Sequence, residues 1–491
     1  MIDFSLLTRN QLQQVHDASL AVLSRTGMRI ESKTLLSGLK KTGAKVDEGA
    51  SVVRIPEQIV EKTILNIRSL ISGGKTQHLL NGVTSELSDG SAISAKISGG
   101  CERYLDWEHH ATREADHDSL LNFIRLGELL PEVGFVGNPV VLRTDSRGEQ
   151  IDERFRRIRT AALVAKNTRK VGSMEVWDER EIEYLEELGV VARGGREAFR
   201  ENPCFVTAKE TISPLFLDEK SGDILLAFAK RDLPCTVIPM PISGLSAPVS
   251  VLGNAVVGNA EILGTMTAIQ STVPEAVVGG GTISGVLDMQ SGCVSFSAPE
   301  AILQDLAIAE VHRELYGFNY LIGSGYTDAK YPSKQVLEEK TFKLLLTFLS
   351  GRYTYPLGLI NGGSVFSAEQ ALVDLEVCKN IHAQFDEVGE SSDMDEIVEL
   401  IHTTGIRGNY IDSEHTLAHF RDFWLPDILD RSAYRSLGES ADSDVYRNAH
   451  AKIEKLENIG EFWEIDAESS REIDRIVLSA ERALQKKETG L

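Results

Sequence analysis

The stretch CTVIPMPISGLSAPVSVLGNAVVGNAEILGTMTAIQSTVPEAVVGGGT, residues 235–282, decides the fold class. An apolar run that starts at Cys235 is followed by a helix-length segment, Asn254–Gln270, and by a second apolar run that starts at Ala276. Both runs are continuously apolar rather than alternating, which is typical of strands buried on both faces of a parallel sheet. The stretch therefore predicts a strand–helix–strand unit with parallel strands.

The same alternation continues on both sides of this unit. Further apolar runs of strand length begin at Val133, Lys170, Cys204, Asn319 and Tyr355. Helical segments separate them: 151–165, 179–192, 221–229, 300–316 and 335–349. Seven runs in this arrangement predict an α/β fold, a TIM (β/α)₈ barrel in which one strand is not recognised. A doubly wound open sheet is the alternative, but no clean glycine-rich phosphate turn follows the first strand.

The segments outside the repeats divide the chain into three parts. Residues 1–115 are predicted to form an N-terminal α/β cap that opens with a helix, since Thr8 and Gln11 make a capping-box pattern. Residues 116–375 form the barrel. Residues 376–491 are mostly helical and charged, and end in a helix over 467–485. We therefore expect a helical C-terminal extension packed on the barrel.

Composition excludes several classes of partner. The net charge of −22 argues against nucleic acid and against an anionic membrane surface. The five cysteines are scattered and contain no C-x-x-C pair, which indicates reduced thiols in a cytoplasmic protein. The sequence shows neither the pattern of a signal peptide nor an apolar run long enough for a transmembrane helix.

The active site of a TIM barrel lies at the carboxyl ends of the strands. Polar, aromatic and proline residues follow most of the predicted strands, and each of them either contacts a ligand or only caps a helix or closes a turn. These candidates are Asn138, Glu175, Lys209, Glu210, Met240, Pro241, Thr282, Ser284, Tyr326, Asp328 and Asn361.

Two glycine-rich loops add further candidates. The loop 279–300 contains Asp288 and Phe296, and its length in a compact fold favours a functional role. The loop 323–335 has glycines that permit close approach of the backbone to a ligand. Its aromatic and charged residues are Tyr326, Asp328, Lys330 and Tyr331. The alternative is a solvated loop whose charged side chains simply face water.

No metal or dissociable cofactor is expected to bind this chain itself. His415 and His419 lie four residues apart, but the glutamate of the zinc-protease motif is missing. We expect their helix to be a packing element with Phe420, Phe423 and Trp424 in the core. Cys293 lacks a visible activating base, which argues against a nucleophilic role.

Several segments resemble the trimethylamine methyltransferase family. They are LTRNQLQQVHDASLAVLSRTGMRIES (7–32), VVRIPEQIVE (52–61), PMPISGLSAPVSVLGNAVVGNAEIL (239–263), SGVLDMQSGCVSFSAPE (284–300), GSGYTDAKYPSKQ (323–335), FSAEQALVDLE (366–376) and HTLAHFRDFWLPDILDR (415–431). The resemblance covers nearly the whole chain. The archaeal founders of the family carry pyrrolysine, whereas this chain has only standard residues and is similar to the subgroup without it.

The resemblance implies a TIM barrel and a reaction. A methyl group passes from a methylated amine, in this subgroup a quaternary amine such as glycine betaine, to the Co(I) corrinoid of a partner protein. The chain departs from the family pattern at YTDAK (326–330), QVLEEK (335–340) and YTYPLGLINGG (353–363). These departures concern the substrate more than the reaction.

A quaternary ammonium cannot donate a hydrogen bond, so aromatic faces are its usual binding surface. Aromatic rings near the predicted mouth belong to Phe296, Tyr326, Tyr331, Tyr353, Tyr355 and Phe366. A carboxylate tail on the substrate would need Lys209, Lys330, Arg352 or backbone N–H groups.

The residues predicted to bind the substrate are Asn138, Glu210, Asp288, Phe296, Tyr326, Asp328, Lys330 and Tyr331. The sequence is also compatible with a homo-oligomer. Two alternatives to the transferase remain open. The first is a catalytically silent barrel that binds a betaine or scaffolds a corrinoid protein, and the second is an unrelated barrel enzyme such as a lyase.

Overall fold

The computed structural model describes residues 5–75, 94–351, 354–385, 394–433, 444–458 and 460–485. The fold is α/β, as the sequence predicts. Among the described residues, seven short strands run parallel in its centre: β1 Ser94–Ile97, β2 Val133–Val136, β3 Thr207–Lys209, β4 Cys235–Val237, β5 Gly279–Thr282, β6 Tyr320–Ile322 and β7 Thr354–Pro356. All but β1 fall in apolar runs that the sequence singles out.

The parallel strands pair in chain order. One sheet has the order β3–β4–β5–β6, and a second has the order β2–β1–β7, so the last strand pairs with the first. The extended segment 171–174 joins the two sheets, because Val136 bridges to Val171 and the amide of Met174 donates to the carbonyl of Val206 at 3.0 Å. This segment lies in the predicted run that starts at Lys170, and it bonds to neighbours on both sides.

Helices connect the central strands and cover them on the outside. They match the predicted helical segments to within a few residues, and Val251–Gln270, for example, contains the predicted 254–270. The others in this region are His117–Leu129, Glu153–Asn167, Ile182–Ala192, Arg196–Glu201, Glu219–Lys230, Pro299–Val311, Lys334–Leu349 and Ala368–Phe385. A 3₁₀ turn at Glu179–Glu181 and a π-helical turn at His312–Tyr316 extend two of these helices.

The N-terminal helices pack against the helices that cover the central strands, mainly against Val251–Gln270. The helices here are Arg9–Arg25, Lys33–Thr42 and Glu57–Ser72. Thr8 caps the first with the predicted capping box. A small sheet places Met28–Ile30 between Val52–Arg54 and Phe216–Leu217, with Lys45–Asp47 at its edge. The domain boundary at residue 115 stays a prediction, although β1, which precedes it, belongs to the central strands.

Further short strands lie beyond the carboxyl ends of the central strands. Ile242–Ser243, Gly285–Leu287 and Val294–Ser295 form one small sheet. Leu359–Ile360, Val365–Phe366, Arg103–Asp106 and Ala111–Arg113 form another. These pairings shape the loops that surround the site described below.

The C-terminal residues are mainly helical, with helices Met394–Thr404, Glu414–His419, Val445–Glu457 and Ala467–Gln485. The last helix has the predicted bounds and packs on Glu153–Asn167. The expectation for 414–424 is wrong, because Phe420 and Phe423 are exposed and Trp424 is only partly buried, rather than all three being in the core. The helix ends at His419 and contains no buried residue, so it does not form a packing element of the core. Among the described helices, none is long and apolar enough to span a membrane.

Candidate active site

A cavity of about 250 Å³ lies at the carboxyl ends of the parallel strands. Parallel pairing brings all of these ends to one edge, which is where α/β enzymes place their chemistry. The lining residues come from every central strand or from the few residues that follow it. They include Lys96, Ser98, Gly100, Asn138, Glu175, Glu210, Ile238, Thr282, Gly323, Tyr326 and Pro356.

The floor of the cavity is apolar. Phe135, Val206 and Ile238 form a small buried cluster that is separate from the main core, with Ile283 and Leu321 packed against it. Phe135 and Leu321 stand on β2 and β6, Val206 lies just before β3, and Ile238 and Ile283 lie just after β4 and β5. Ile238, Ile283 and Leu321 also line the cavity. The cluster fills the space between the strands, so a ligand can occupy only the region above it.

Two carboxylates lie at the opening. Glu175 follows the segment 171–174, and Glu210 follows β3 and is exposed. Burial raises the pKa of Glu175, the nearby Glu210 carboxylate raises it further, and the Lys209 ammonium opposes both effects. A single cation placed between the two carboxylates would relieve their repulsion.

Tyr326 supplies the aromatic wall, and its position is fixed by contacts on both sides. A side chain on Gly363 would clash with the Tyr326 ring, since its Cβ would lie 2.5 Å from Cε1. The buried Lys343 Nζ donates to the Tyr326 carbonyl at 2.8 Å and to the Phe296 carbonyl at 2.7 Å. Burial raises the pKa of the Tyr326 phenol, so the ring stays neutral. The ring face is therefore available to a ligand without a competing charge change.

The two predicted loops contact each other, but Asp328 serves that contact rather than the cavity. Its carboxylate accepts a hydrogen bond from the Phe296 amide at 2.7 Å and another from the Ser295 hydroxyl. The Phe296 ring stacks obliquely on the Tyr326 ring, with centroids 5.5 Å apart. Asp328 thus holds the backbone of Phe296, and the ring of Phe296 packs against the ring of Tyr326.

The other predicted residues divide between the cavity and the surface. Asn138, Glu210 and Tyr326 line the cavity together, as do Glu175 and Thr282. Asp288, Lys330 and Tyr331 are exposed and do not line it. The Asp288 carboxylate lies in a turn and accepts hydrogen bonds from the Gln290 amide at 2.9 Å and from the Ser291 hydroxyl at 2.6 Å.

Three of the remaining aromatic or basic candidates are turned away from the cavity. Phe366 is buried against Phe123, and the Tyr355 hydroxyl lies 3.2 Å from His382 Nε2. Lys209 Nζ donates to the Val176 carbonyl at 2.9 Å. Two further candidates, Arg352 and Tyr353, lie outside the described residues.

Sequence reasoning missed Lys96, which lies in the middle of β1 and lines the cavity. Burial lowers the pKa of this lysine to about 8. The signal that could have found it is the pattern of SAKI, a single lysine between two apolar residues that face the other side of a strand.

The described residues contain no group of three or more histidine, cysteine, aspartate or glutamate side chains that could hold a metal ion. The His415 and His419 rings lie 4.6 Å apart, and His419 Nδ1 is 2.7 Å from the Asp422 carboxylate. That the chain binds no metal or cofactor itself stays a prediction.

The lowered pKa of Lys96 predicts that Lys96→Met changes stability in a pH-dependent way. Because the pKa is about 8 in the folded chain against an ordinary 10.5, folding disfavours the charge. This penalty is complete below pH 8 and is lost as the pH rises from 8 towards 10.5. We expect Lys96→Met to raise the free energy of unfolding at pH 7 by about 1–3 kcal/mol.

Chemical denaturation of wild type and variant at pH 7 and at pH 9.5 checks this prediction. The difference between the two proteins should shrink at the higher pH. A variant that is less stable than wild type at both pH values would contradict it.

Comparison with known proteins now gives the family. The sequence profile described as trimethylamine methyltransferase matches residues 1–483. The chain is 26% identical over 493 residues to a trimethylamine methyltransferase of Methanosarcina barkeri (strain Fusaro / DSM 804), covering 99% of this chain and 97% of that protein. It is also 26% identical over 465 residues to a glycine betaine methyltransferase of Desulfitobacterium hafniense (strain Y51), covering 92% of each.

A search of solved structures finds the monomethylamine methyltransferase of Methanosarcina barkeri. It shares 13% sequence identity with this chain, with a TM-score of 0.46, and the match covers 91% of this chain and 92% of that one. The resemblance seen in the sequence motifs is confirmed by the match that spans nearly the whole chain. This chain belongs to the trimethylamine methyltransferase family.

Proposed function

We propose that this chain transfers a methyl group from a small quaternary amine of the glycine betaine type to the Co(I) corrinoid of a partner protein. One observation carries the proposal: a single small cavity combines the neutral ring of Tyr326 with the carboxylates of Glu175 and Glu210. The family supplies the reaction class, since its relatives are named as methyltransferases of trimethylamine and of glycine betaine.

We also infer that the central strands close into a TIM barrel. The pairing of β7 with β1 supports closure, because the last strand of a closed ring returns to the first. In a doubly wound sheet the first strand is instead flanked by early strands and the last lies far from it. The buried cluster of Phe135, Val206 and Ile238 supports the same inference, since it occupies the space that a ring of strands encloses.

The lining residues suit a cation that has no N–H group. Such a cation is bound by electron-rich surfaces, and a desolvated contact with an aromatic face contributes about 2 kcal/mol. Tyr326 offers that face. Glu175 and Glu210 add negative potential at the opening without the need for a direct hydrogen bond.

The chemical step does not require the protein to supply an acid or base catalyst. The Co(I) acceptor attacks the methyl carbon, the C–N bond breaks, and its electron pair stays on the nitrogen, which leaves as a neutral tertiary amine. No proton has to move to the leaving group. The contributions of this chain are therefore to align the C–N bond with the acceptor and to exclude water.

The opening of the cavity sets where the partner binds. Glu210 is exposed at the carboxyl edge of the strands, so this side is open to solvent. An acceptor carried on another protein must approach here, because the opposite side is closed by the apolar floor. We further infer a cytoplasmic location, supported by five cysteines that are all unpaired.

Turnover with a quaternary amine tests the proposed function directly. The full-length chain, incubated with Co(I) cobalamin or a corrinoid protein and a panel of methylated amines, should produce the absorbance of methylcobalamin with a quaternary amine. Tertiary and secondary amines should react more slowly, because only their protonated forms have a neutral leaving group, and these forms carry N–H groups whose desolvation in the cavity is costly. Binding of an amine without any methyl transfer would contradict the proposal and favour a catalytically silent barrel.

Removing the ring of Tyr326 should weaken transfer more than removing its hydroxyl. Tyr326→Ala is expected to lower kcat/KM by about 10- to 30-fold, the equivalent of one desolvated cation–π contact. Tyr326→Phe keeps the ring and should stay within about threefold of wild type. Tyr410→Ala, at an exposed position outside the cavity, is the control. Equal losses in the Phe and Ala variants would show that the hydroxyl, and not the ring face, is what the site uses.

A further inference from the structure

Lys96 points into the space between the central strands. Its neighbours in β1, Ala95 and Ile97, are fully buried on the other face of the strand. Ile97 Cδ1 lies close to the covering helix, 3.5 Å from where a Cβ on Gly127 would be. Because successive side chains of a strand alternate, Lys96 faces the opposite way, and it does line the cavity.

Lys96 differs from the other buried lysines in lacking a partner. Within the described parts of the chain, its Nζ has no hydrogen bond and no ion pair, and burial is the only cause of its pKa shift. Four other lysines in the described ranges are buried, and each has partners: backbone carbonyls for Lys170, Lys209 and Lys343, and the Asp374 carboxylate at 2.6 Å for Lys340. A partly buried cation without a counter-ion is costly, so its retention points to a ligand.

The charges of the cavity are separated by depth. Lys96 pairs in register with Phe135, a residue of the apolar floor. Gly100 follows four residues later on the way out of β1, and a Cβ there would lie 3.3 Å from Glu175 Oε2 and 3.4 Å from Asn138 Nδ2. The backbone of Lys96 is therefore level with the floor, whereas the carboxylate of Glu175 lies beside Gly100, further along the chain towards the opening.

We propose that Lys96 binds the carboxylate of the substrate, so that the site selects short zwitterions that carry a quaternary ammonium at one end and a carboxylate at the other. This inference rests on the function proposed above and assigns Lys96 as its specificity-determining residue. The carboxylate supplies the counter-ion that Lys96 lacks, through a charge-assisted hydrogen bond. The ammonium then lies at the level of Tyr326 and Glu175.

This polarity also orients the methyl groups. A zwitterion held by its carboxylate at the floor presents its N-methyl groups to the opening, which is the side open to the acceptor. The reversed orientation would place the substrate cation beside Lys96 and its carboxylate beside Glu175 and Glu210, so that both ends are repelled. A quaternary amine without a carboxylate leaves Lys96 unpaired and has no such preference.

Binding measurements with a matched pair of ligands test the inference without the corrinoid. Isothermal titration calorimetry on the full-length chain would use trimethylammonium carboxylates with one, two or three methylene groups, each beside its primary amide, which has the same shape without the negative charge. Wild type should bind at least one of these carboxylates about 10- to 100-fold more tightly than its amide. Lys96→Met should reduce this ratio to about threefold or less, and Lys96→Arg should restore part of it.

Lys334→Met, at an exposed position outside the cavity, is the matched control and should keep the wild-type ratio. A merely structural role for Lys96 would lower the affinity for carboxylate and amide alike and would lower the Tm of Lys96→Met. The inference is overturned if wild type binds every carboxylate no better than its amide, or if Lys96→Met keeps the preference.

The methyl-transfer assay separates this inference from the proposed function. If the carboxylate preference depends on Lys96 but no amine methylates Co(I), the proposed function fails and the assignment of Lys96 as a carboxylate-binding residue stands. If transfer occurs with quaternary amines regardless of a carboxylate, the proposed function stands and the inference fails.

Discussion

Parallel pairing of the central strands is the constraint on which the site depends. Because β1 to β7 run in one direction, residues far apart in the chain, such as Lys96, Glu175 and Tyr326, line one cavity. No local segment contains the site. Lys96 stands within β1, whereas Glu210 follows β3 and Glu175 follows the segment 171–174, so the positive and negative groups of the cavity lie at different positions along the strands.

A second layer of interactions keeps the opening in shape. Asp305 is fully buried and accepts from the amides of Ser284 and Gly323, which follow β5 and β6. Burial raises its pKa to about 6, and the two amide donors oppose that shift. Lys343 performs the corresponding task for the carbonyls of Phe296 and Tyr326. These buried charges hold the loops mainly through hydrogen bonds with backbone groups, which leaves the ring of Tyr326 free for a ligand.

Much of this architecture could be predicted from the sequence, and the exceptions have physical reasons. Six of the seven central strands fall in apolar runs, since strands covered on the outside by helices need apolar residues. β1 does not show in this way because Lys96 interrupts it and polar residues flank it. Lys96 gives the cavity its positive charge. The same residue interrupts the apolar pattern by which β1 could have been recognised.

Position at the end of a strand predicted which residues line the cavity better than the composition of the glycine-rich loops did. Asn138, Glu175, Glu210, Thr282 and Tyr326 follow or end strands and line the cavity. The charged residues of the glycine-rich loops mostly do not. Asp288 and Asp328 satisfy backbone amides of their own turns or of the neighbouring loop, and composition alone does not distinguish a carboxylate that caps a turn from one that binds a ligand.

The orientation of a bound substrate is the most direct test of the account. A crystal structure of the chain with a non-transferable analogue of a short betaine would show it. We expect the carboxylate within hydrogen-bonding distance of Lys96 Nζ, the onium group against the Tyr326 ring, and its methyl groups towards the opening beside Glu210. An analogue bound with its carboxylate at the opening, or bound outside the cavity, would contradict the account.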